Sequence, residues 1–406
     1  MKALPRRIPQ FKDRQAVLAH YRNWKMARSA HAYVRGNALK FYEWLATAPG
    51  RTVPRGPAVW ICGDCHIGNL GPLASAKGHV DVQIRDLDQT VIGNPAHDLI
   101  RLGLSLATAA RGSDLPGVIT AKMLEQMIGG YEKALESGLD EKHERDRMPK
   151  VVHRVLRLAV RRTWPQLATE RIEDTRPMIP LGRHFWPLSK DEKRELGRLF
   201  ATDAARRLAT SLRSRDNDAH VELVDAAYWV KGCSSLGRLR FAALVEVARG
   251  RNNSDLCLID VKEAVQASAP RYPRVKMPRD NAERVVEGAR HLAPSLGDRM
   301  IASRFLDRSV FIRELRPQDL KLEIDQLSQD EAMAAARFLA SVVGKAHARQ
   351  MDSEDRAKWL SELARNRSKS LDAPSWLWTS VVELVVTHEA AYLEHCRRYA
   401  TDQAAA

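Results

Sequence analysis

Cys62-Gly63-Asp64-Cys65-His66-Ile67-Gly68-Asn69, then Arg85-Asp86-Leu87-Asp88 and Gly93-Asn94-Pro95-Ala96-His97-Asp98-Leu99, form the stretch on which the reading of this chain turns. Ala58 to Cys62 is a short apolar strand leading into it. Val80, Val82 and Ile84 alternate with Asp81 and Gln83, a second strand that runs into Asp86. Asn94-Pro95 opens a helix through Asp98, Leu99, Leu102, Leu104 and Leu106. An aspartate at a strand end is placed to accept the hydroxyl proton of a phosphate acceptor. An asparagine five residues later on the same loop returns to the same cavity as a magnesium ligand. Asp86, at the neighbouring strand end, supplies a second hard oxygen, and magnesium takes one or two carboxylates plus substrate phosphates.

Outward from this stretch, residues 13 to 47 read as helix, punctuated by Gly36 and the Pro-Gly-rich Pro49 to Pro57. Residues 118 to 212 read as mostly helical. From about 221 the pattern switches to strands: Tyr228 to Val230, Leu239 to Val247, and Leu256 to Val261 after a turn at Arg249 to Asp255. Ala282 to Leu292 is a helix, Val310 to Leu315 a further strand, and 329 to 400 is helical again. This order gives an α+β fold with two lobes. The expected division is a helical lobe over 1–220, a sheet lobe over 221–320, and C-terminal helices over 321–406 that complete the helical lobe.

The totals exclude several classes. A chain of 406 residues with 44% hydrophobic and 28% charged residues is long and apolar enough to build a sizeable core. No apolar run approaches the roughly 20 residues of a membrane span. Met1 to Lys12 has no apolar h-region, and five cysteines form no disulfide framework, so the expected location is the cytoplasm. A net charge of +15 favours an anionic partner. The densely basic Glu144 to Arg162 alternates with valine and leucine at helical spacing, which fits an amphipathic surface helix better than a nucleic-acid arm.

A second constellation follows later in the chain. Val230-Lys231-Gly232-Cys233-Ser234-Ser235-Leu236-Gly237-Arg238 lies between strands and resembles a glycine-rich nucleotide loop, in which small residues expose backbone N–H groups to phosphates. Its middle glycine is replaced by Ser234. Ile259-Asp260-Val261-Lys262-Glu263-Ala264 resembles the strand that carries a nucleotide-binding lysine. A helix with Glu283 and Glu287 comes next, either of which is a candidate partner for Lys262. The strand Phe311-Ile312-Arg313-Glu314-Leu315 resembles the hinge bordering an adenine.

The first constellation resembles the catalytic and metal-binding loops of aminoglycoside and choline kinases, members of the protein-kinase-like fold. The resemblance implies that Asp64 is the catalytic base, Asn69 and Asp86 are metal ligands, and Asp88 assists at the metal. Asp98 becomes the anchor beneath the loop. Cys62 stands where that family has histidine, so the loop's support must come from elsewhere. For the second constellation it implies that Gly232, Ser234, Ser235, Gly237, Lys262, Glu283 or Glu287, Glu314 and Leu315 bind the nucleotide. Loop and lysine follow the catalytic stretch instead of preceding it, which a circularly permuted kinase-like domain accounts for.

Nearly the whole length resembles the mainly bacterial family termed domain of unknown function 2252. The matches are Tyr33-Val34-Arg35-Gly36, Gly63 to Asn69, Val261-Lys262-Glu263-Ala264, Arg284-Val285-Val286-Glu287-Gly288 and Ala346-His347-Ala348-Arg349. The expected function is an ATP- and magnesium-dependent phosphotransferase acting on a small-molecule or protein acceptor, with nucleotidyl transfer open on the same scaffold. The alternatives are a nucleotide-binding pseudokinase or regulatory module and, from the net charge, a nucleic-acid-binding protein. Cys62-x-x-Cys65 has no second pair to make a zinc site, so both cysteines read as small buried residues. Gly63-Asp64-x-His66 lacks the later histidine segments of a binuclear metallophosphatase. His66 reads as loop-shaping, and Arg35 as either an anion contact or a helix cap.

Overall fold

The computed structural model describes residues 8–47, 49–136, 148–161, 178–210, 219–233, 235–249, 253–316, 319, 328–365, 367 and 371–399. The first helical stretch is three helices: α1 (Arg14–Ala27), α2 (Ala30–Gly36) and α3 (Ala38–Leu45). The breaks fall where polar side chains satisfy the next helix's free N–H groups. Ser29 Oγ accepts from Ala32 N and Asn37 Oδ1 from Lys40 N. The helical stretch expected over 13–47 breaks at Gly36, where it was expected to be punctuated, and once more after Ala27.

Four short strands follow: β1 (Val59–Ile61), β2 (Leu70–Ala74), β3 (Val80–Ile84) and β4 (Val91–Gly93). They pair as two antiparallel ladders, β1 with β4 and β2 with β3. The helices α4 (Pro95–Gly112), α5 (Gly117–Glu136) and α6 (Lys150–Arg161) come next. Asn94 caps α4 through Oδ1 to Ala96 N, with Pro95 at its first position. The stretch read as mostly helical also holds a two-residue strand, β5 (Phe185–Trp186), ahead of α7 (Lys190–Phe200) and α8 (Asp203–Ala209).

The main sheet is built from β5, β6 (Val221–Trp229), β7 (Arg240–Arg249), β8 (Asn253–Glu263), β9 (Met300–Phe305) and β10 (Arg308–Leu315). Its order is β5-β6-β7-β8-β10-β9, antiparallel throughout. The helices α9 (Asn281–Leu292) and α10 (Pro294–Gly297) interrupt the chain between β8 and β9. α11 (Gln329–Ala348), α12 (Ser353–Ala364) and α13 (Ser375–Tyr399) complete the described elements, and the fold class is α+β. No helix among the described residues is long and apolar enough to cross a membrane.

Strand alternation sorts the sheet into two faces. Phe241, Val245, Ile259, Val261, Val310 and Ile312 pack on Leu18 of α1 and on Leu196, Leu199 and Leu208 of α7 and α8. Ala227, Trp229, Ala242, Leu244 and Leu258 form the opposite apolar patch with Ile179 and Phe185. A third and largest cluster joins β1–β4 to α4, α5 and α11–α13, and it takes in Val285, Val286 and Ala289 of α9. α9 therefore belongs to both parts, which ties the position of the sheet to that of β1–β4.

Candidate active site

The stretch after β1 is held from below by α4. Asp98, in the first turn of α4, is fully buried and accepts from Cys62 N at 2.7 Å and Gly63 N at 2.9 Å. His347 on α11 reaches the same carboxylate, with Nε2 3.3 Å from Oδ2. Its Nδ1 lies 2.9 Å from the Tyr131 hydroxyl, which accepts from Trp359 Nε1 at 3.1 Å. The indole donates to the phenol, and the imidazole links the phenol to the carboxylate. These buried groups supply the support that Cys62 does not. The loop's carbonyls are bound too, with Gly63 O taken by the Tyr42 hydroxyl and Ile61 O by Thr90 Oγ1 at 2.6 Å. Cys62 and Cys65 are free and buried. The hydrogen bond with Cys62, then burial, pushes the Cys65 thiol well up.

Asp64 projects from this platform with its side chain 13% accessible. Arg101, one turn beyond Asp98 on α4, pairs with it through Nη2 and also donates to Val34 O at 3.1 Å. Asn69 donates its amide Nδ2 to Asp64 O at 2.8 Å, which leaves Oδ1 as its ligand-capable end. Burial raises the Asp64 carboxyl above the usual range, Arg101 pulls it back, and Asp86 and Asp98 push it up again.

The two constellations meet at Lys262. In β8 it stands opposite Arg240 of β7 and Phe311 of β10. Its ammonium, 2% accessible, lies 3.3 Å from Asp86 Oδ1 and 2.6 Å from Asp88 Oδ2. The Asp86 side chain is half accessible. Burial alone would raise its pKa, but Lys262, then Arg313, hold it well below the carboxylate range. Asp88 moves the other way, raised by burial and by the Asp86 charge. One residue pair along β8, Asp260 is fully buried between Arg240 and Arg313, with contacts of 2.6 to 3.1 Å. Arg313 also donates to Arg85 O at 3.1 Å, so the sheet's charge row grips the backbone beside Asp86.

The turn between β6 and β7 lies against α1. Gly232 and Gly237 sit at positive φ, Lys25 Nζ donates to Gly232 O and Gln15 Nε2 to Gly237 O, each at 2.6 Å. The N–H groups of Gly232, Cys233 and Gly237 find no acceptor among the described residues. Ser235 is buried, and its Oγ lies 3.5 Å from Lys231 O. Ser234 lies outside the described residues.

Some expected residues are not brought to Lys262. The expected pairing with a glutamate of α9 is corrected. Glu287 pairs with Arg290 and His291 on the accessible side of the helix, and Glu283 is exposed. The face that α9 turns inward carries Arg284 instead, which donates to Thr90 O, to Asp88 O at 3.1 Å and to Val265 O at 2.9 Å. Lys262 takes its countercharge from Asp86 and Asp88 because their loop, not the helix, faces β8. Glu314 is buried on the face of β10 opposite Arg313, and its carbonyl accepts from Arg299 Nη1 at 2.9 Å. Leu315 packs on the apolar patch with Leu258 and Trp229.

Residues to which sequence reasoning gave no role complete the site. Arg101 stands three positions after Asp98, the spacing that puts two side chains on one helix face, and that signal was available. Arg240, Asp260 and Arg313 are charges in strands otherwise patterned for burial, a second usable signal. His347, Tyr131 and Trp359 come from three helices, and nothing local links them.

No group of three or more His, Cys, Asp or Glu among the described residues converges as a metal cage. Two carboxylates in contact with one ammonium, one of them with a buried oxygen (Asp88 Oδ1) lacking a partner, are nevertheless a donor set that fits a magnesium ion sharing its shell with phosphates. A cavity of about 720 Å³ opens elsewhere, between β3, α6 and α11, and none of its lining residues belongs to this cluster.

No curated protein and no solved structure matches this chain. The family described as an uncharacterized protein conserved in bacteria (DUF2252) matches residues 14–398, nearly the full length. The chain that carries this aspartate–lysine cluster belongs to that family.

Proposed function

We propose that the protein is an ATP- and magnesium-dependent phosphotransferase with a two-lobed, circularly permuted kinase-like fold. The observation that carries this reading is the meeting of Lys262 with Asp86 and Asp88, because two segments 176 positions apart converge on one ammonium. The order of parts supports it: glycine-bearing turn between β6 and β7, lysine on β8, helix α9, then β10 beside β8. Fold by itself would not decide function; the cluster is what points to this chemistry.

In this mechanism Lys262 orients the nucleotide's phosphates, and Asn69, Asp86 and Asp88 hold the magnesium. A bound magnesium ion neutralises charge that develops on the phosphate oxygens. Asp64 accepts the acceptor's hydroxyl proton. The acceptor oxygen forms a bond to the γ-phosphorus as the bond to the β–γ bridging oxygen breaks, so ADP leaves with the electron pair. Arg101 and Asn69 fix Asp64 in place, and the buried chain from Trp359 to Asp98 fixes the loop.

The test is nucleotide binding with and without magnesium, followed by ATP consumption in cell extract. Asp64→Ala is expected to keep ATP affinity within about threefold and to lose turnover, while Asp86→Asn loses the magnesium dependence of binding. Unchanged ATP consumption in Asp64→Ala overturns the assignment. The Arg101–Asp64 pair favours a second reading, a pseudokinase whose base is neutralised. Magnesium-dependent ATP binding with no turnover across a broad acceptor panel is its signature.

A further inference from the structure

We propose that Lys25, Arg35 and His66 form a receiving site for a phosphate monoester carried by the acceptor, so that the substrate is a phosphorylated hydroxyl compound. This rests on the phosphotransferase reading and adds the substrate class to it.

The cluster is assembled from three separate elements around the 64–69 turn. Arg35, in the last turn of α2, lies flat on Gly68: a Cβ there would stand 2.8 Å from the Arg35 Cζ and Nη2. Arg35 has no hydrogen bond or ion pair among the described residues, and its buried Nε has no acceptor. His66 is 4% accessible, and its Nδ1 is equally without a partner. Fully buried Arg101 spends Nη2 on Asp64 and Val34 O, which leaves Nε and Nη1 unsatisfied. Lys25 uses its ammonium on Gly232 O, with two protons to spare.

Four buried side-chain nitrogens without partners, on Arg35, His66 and Arg101, stand in one electrostatic neighbourhood beside the 64–69 turn, and such groups are otherwise paired. Charge sets the class of acceptor. Asp64 neutralises Arg101, so Lys25 and Arg35 leave about two positive charges, the complement of a dianionic phosphate monoester. His66 stands beside these cations with its buried Nδ1 unpartnered. Burial lowers the Lys25 pKa, the Cys233 thiol raises it, and Arg28, Arg35 and Arg183 lower it further.

The same chemistry would also suit the nucleotide's own phosphates, and the experiment separates the two. Inorganic phosphate is titrated calorimetrically, at low salt, into the full chain and into Arg35→Gln, Arg35→Lys and the distant Arg198→Gln. Arg35→Gln is expected to weaken phosphate binding roughly tenfold to a hundredfold, with part of the loss restored in Arg35→Lys and none seen in Arg198→Gln. Magnesium-ATP affinity should stay within about threefold in Arg35→Gln. Phosphate binding that ignores Arg35 overturns the site, and ATP affinity that falls in parallel reassigns it to the nucleotide and overturns the substrate class. A chain that binds phosphate through Arg35 but never binds ATP refutes the phosphotransferase reading and leaves the anion site standing. Thermal melting confirms that Arg35→Gln is folded; if it is not, Arg35→Lys with His66→Asn carries the comparison.

Discussion

Lys262 and Asp86, 176 positions apart in the chain, meet with 3.3 Å between Nζ and Oδ1, and Asp88 closes on the same ammonium at 2.6 Å. The contact does two things. It spends a buried lysine's charge, which would otherwise cost several kcal/mol to desolvate. It also keeps two mutually repelling carboxylates together, one of them half accessible, where an arriving cation could take over the lysine's role.

Replacing Lys262 by methionine should therefore expose that repulsion. The expected loss of stability is about 2–3 kcal/mol, below the full value for a broken buried pair because Asp86 is half accessible. Magnesium chloride should return more of that stability to the variant than it adds to the native chain. Denaturant titrations with and without magnesium measure both quantities. An equal magnesium effect in the two proteins would show that the carboxylates do not make a cation site.

Buried histidines make the fold sensitive to mild acid. His97 and His388 are each lowered by burial to about 4, against an ordinary value near 6.5. A group that protonates more easily when unfolded draws the chain toward the unfolded state as pH falls. The stability is therefore fully present above about pH 6.5 and declines through the window down to about 4. At pH 5 the expected loss is about 2 kcal/mol per histidine. His388→Gln should flatten the slope of stability between pH 7 and 4.5. A variant that is as steep as the native protein would place the acid sensitivity elsewhere.

How much of this was legible in the sequence differs by element, for physical reasons. The aspartates, Asn69 and Lys262 stood out because polar residues interrupt apolar runs at strand ends. The β9–β10 hairpin left β9 unread because its turn is Leu306-Asp307, both at positive φ, and not the Asn-Gly or Asp-Gly that advertises such a turn. β2 carries Pro72, which argues against a strand, yet it pairs with Val82 at the edge of a two-stranded ladder. The partner of Lys262 was read from the kinase-like order of parts, in which a glutamate-bearing helix follows the lysine strand. Which face α9 turns inward depends on packing against Thr90, where Gly288 permits the close approach. Arg35 was visible as an alternative, but its lack of a partner is a property only the assembled site has.

Gly63 and Gly78 offer a matched pair. Both have φ in the left-handed region, +73° and +83°. A Cβ on Gly63 would collide with the carbonyl of Gln89, while one on Gly78 meets nothing within 4 Å. Gly78→Ala should cost about 1 kcal/mol, the backbone strain alone. Gly63→Ala adds a clash with fixed backbone beneath the Asp64 loop, and a loss of at least 3 kcal/mol with disturbed magnesium-ATP binding is expected. Equal melting temperatures for the two variants would contradict the close approach of the 61–64 and 86–90 segments.

Arg101 offers a test of Asp64 that a purely structural role would not pass. The guanidinium favours the ionised carboxyl, working against burial and against Asp86 and Asp98. Arg101→Met removes that pull, so the Asp64 pKa must rise further. A base is active only when deprotonated, hence the acid limb of the pH profile for ATP consumption should move to higher pH in the variant. Turnover near pH 6 should fall by a larger factor than turnover near pH 9, where the carboxyl is ionised in both proteins. If Arg101 merely braced α4 against the Val34 carbonyl, its loss would lower activity by one factor at every pH. A uniform drop would thus remove Asp64 from the role of base, and a displaced limb would tie the proton transfer to this pair.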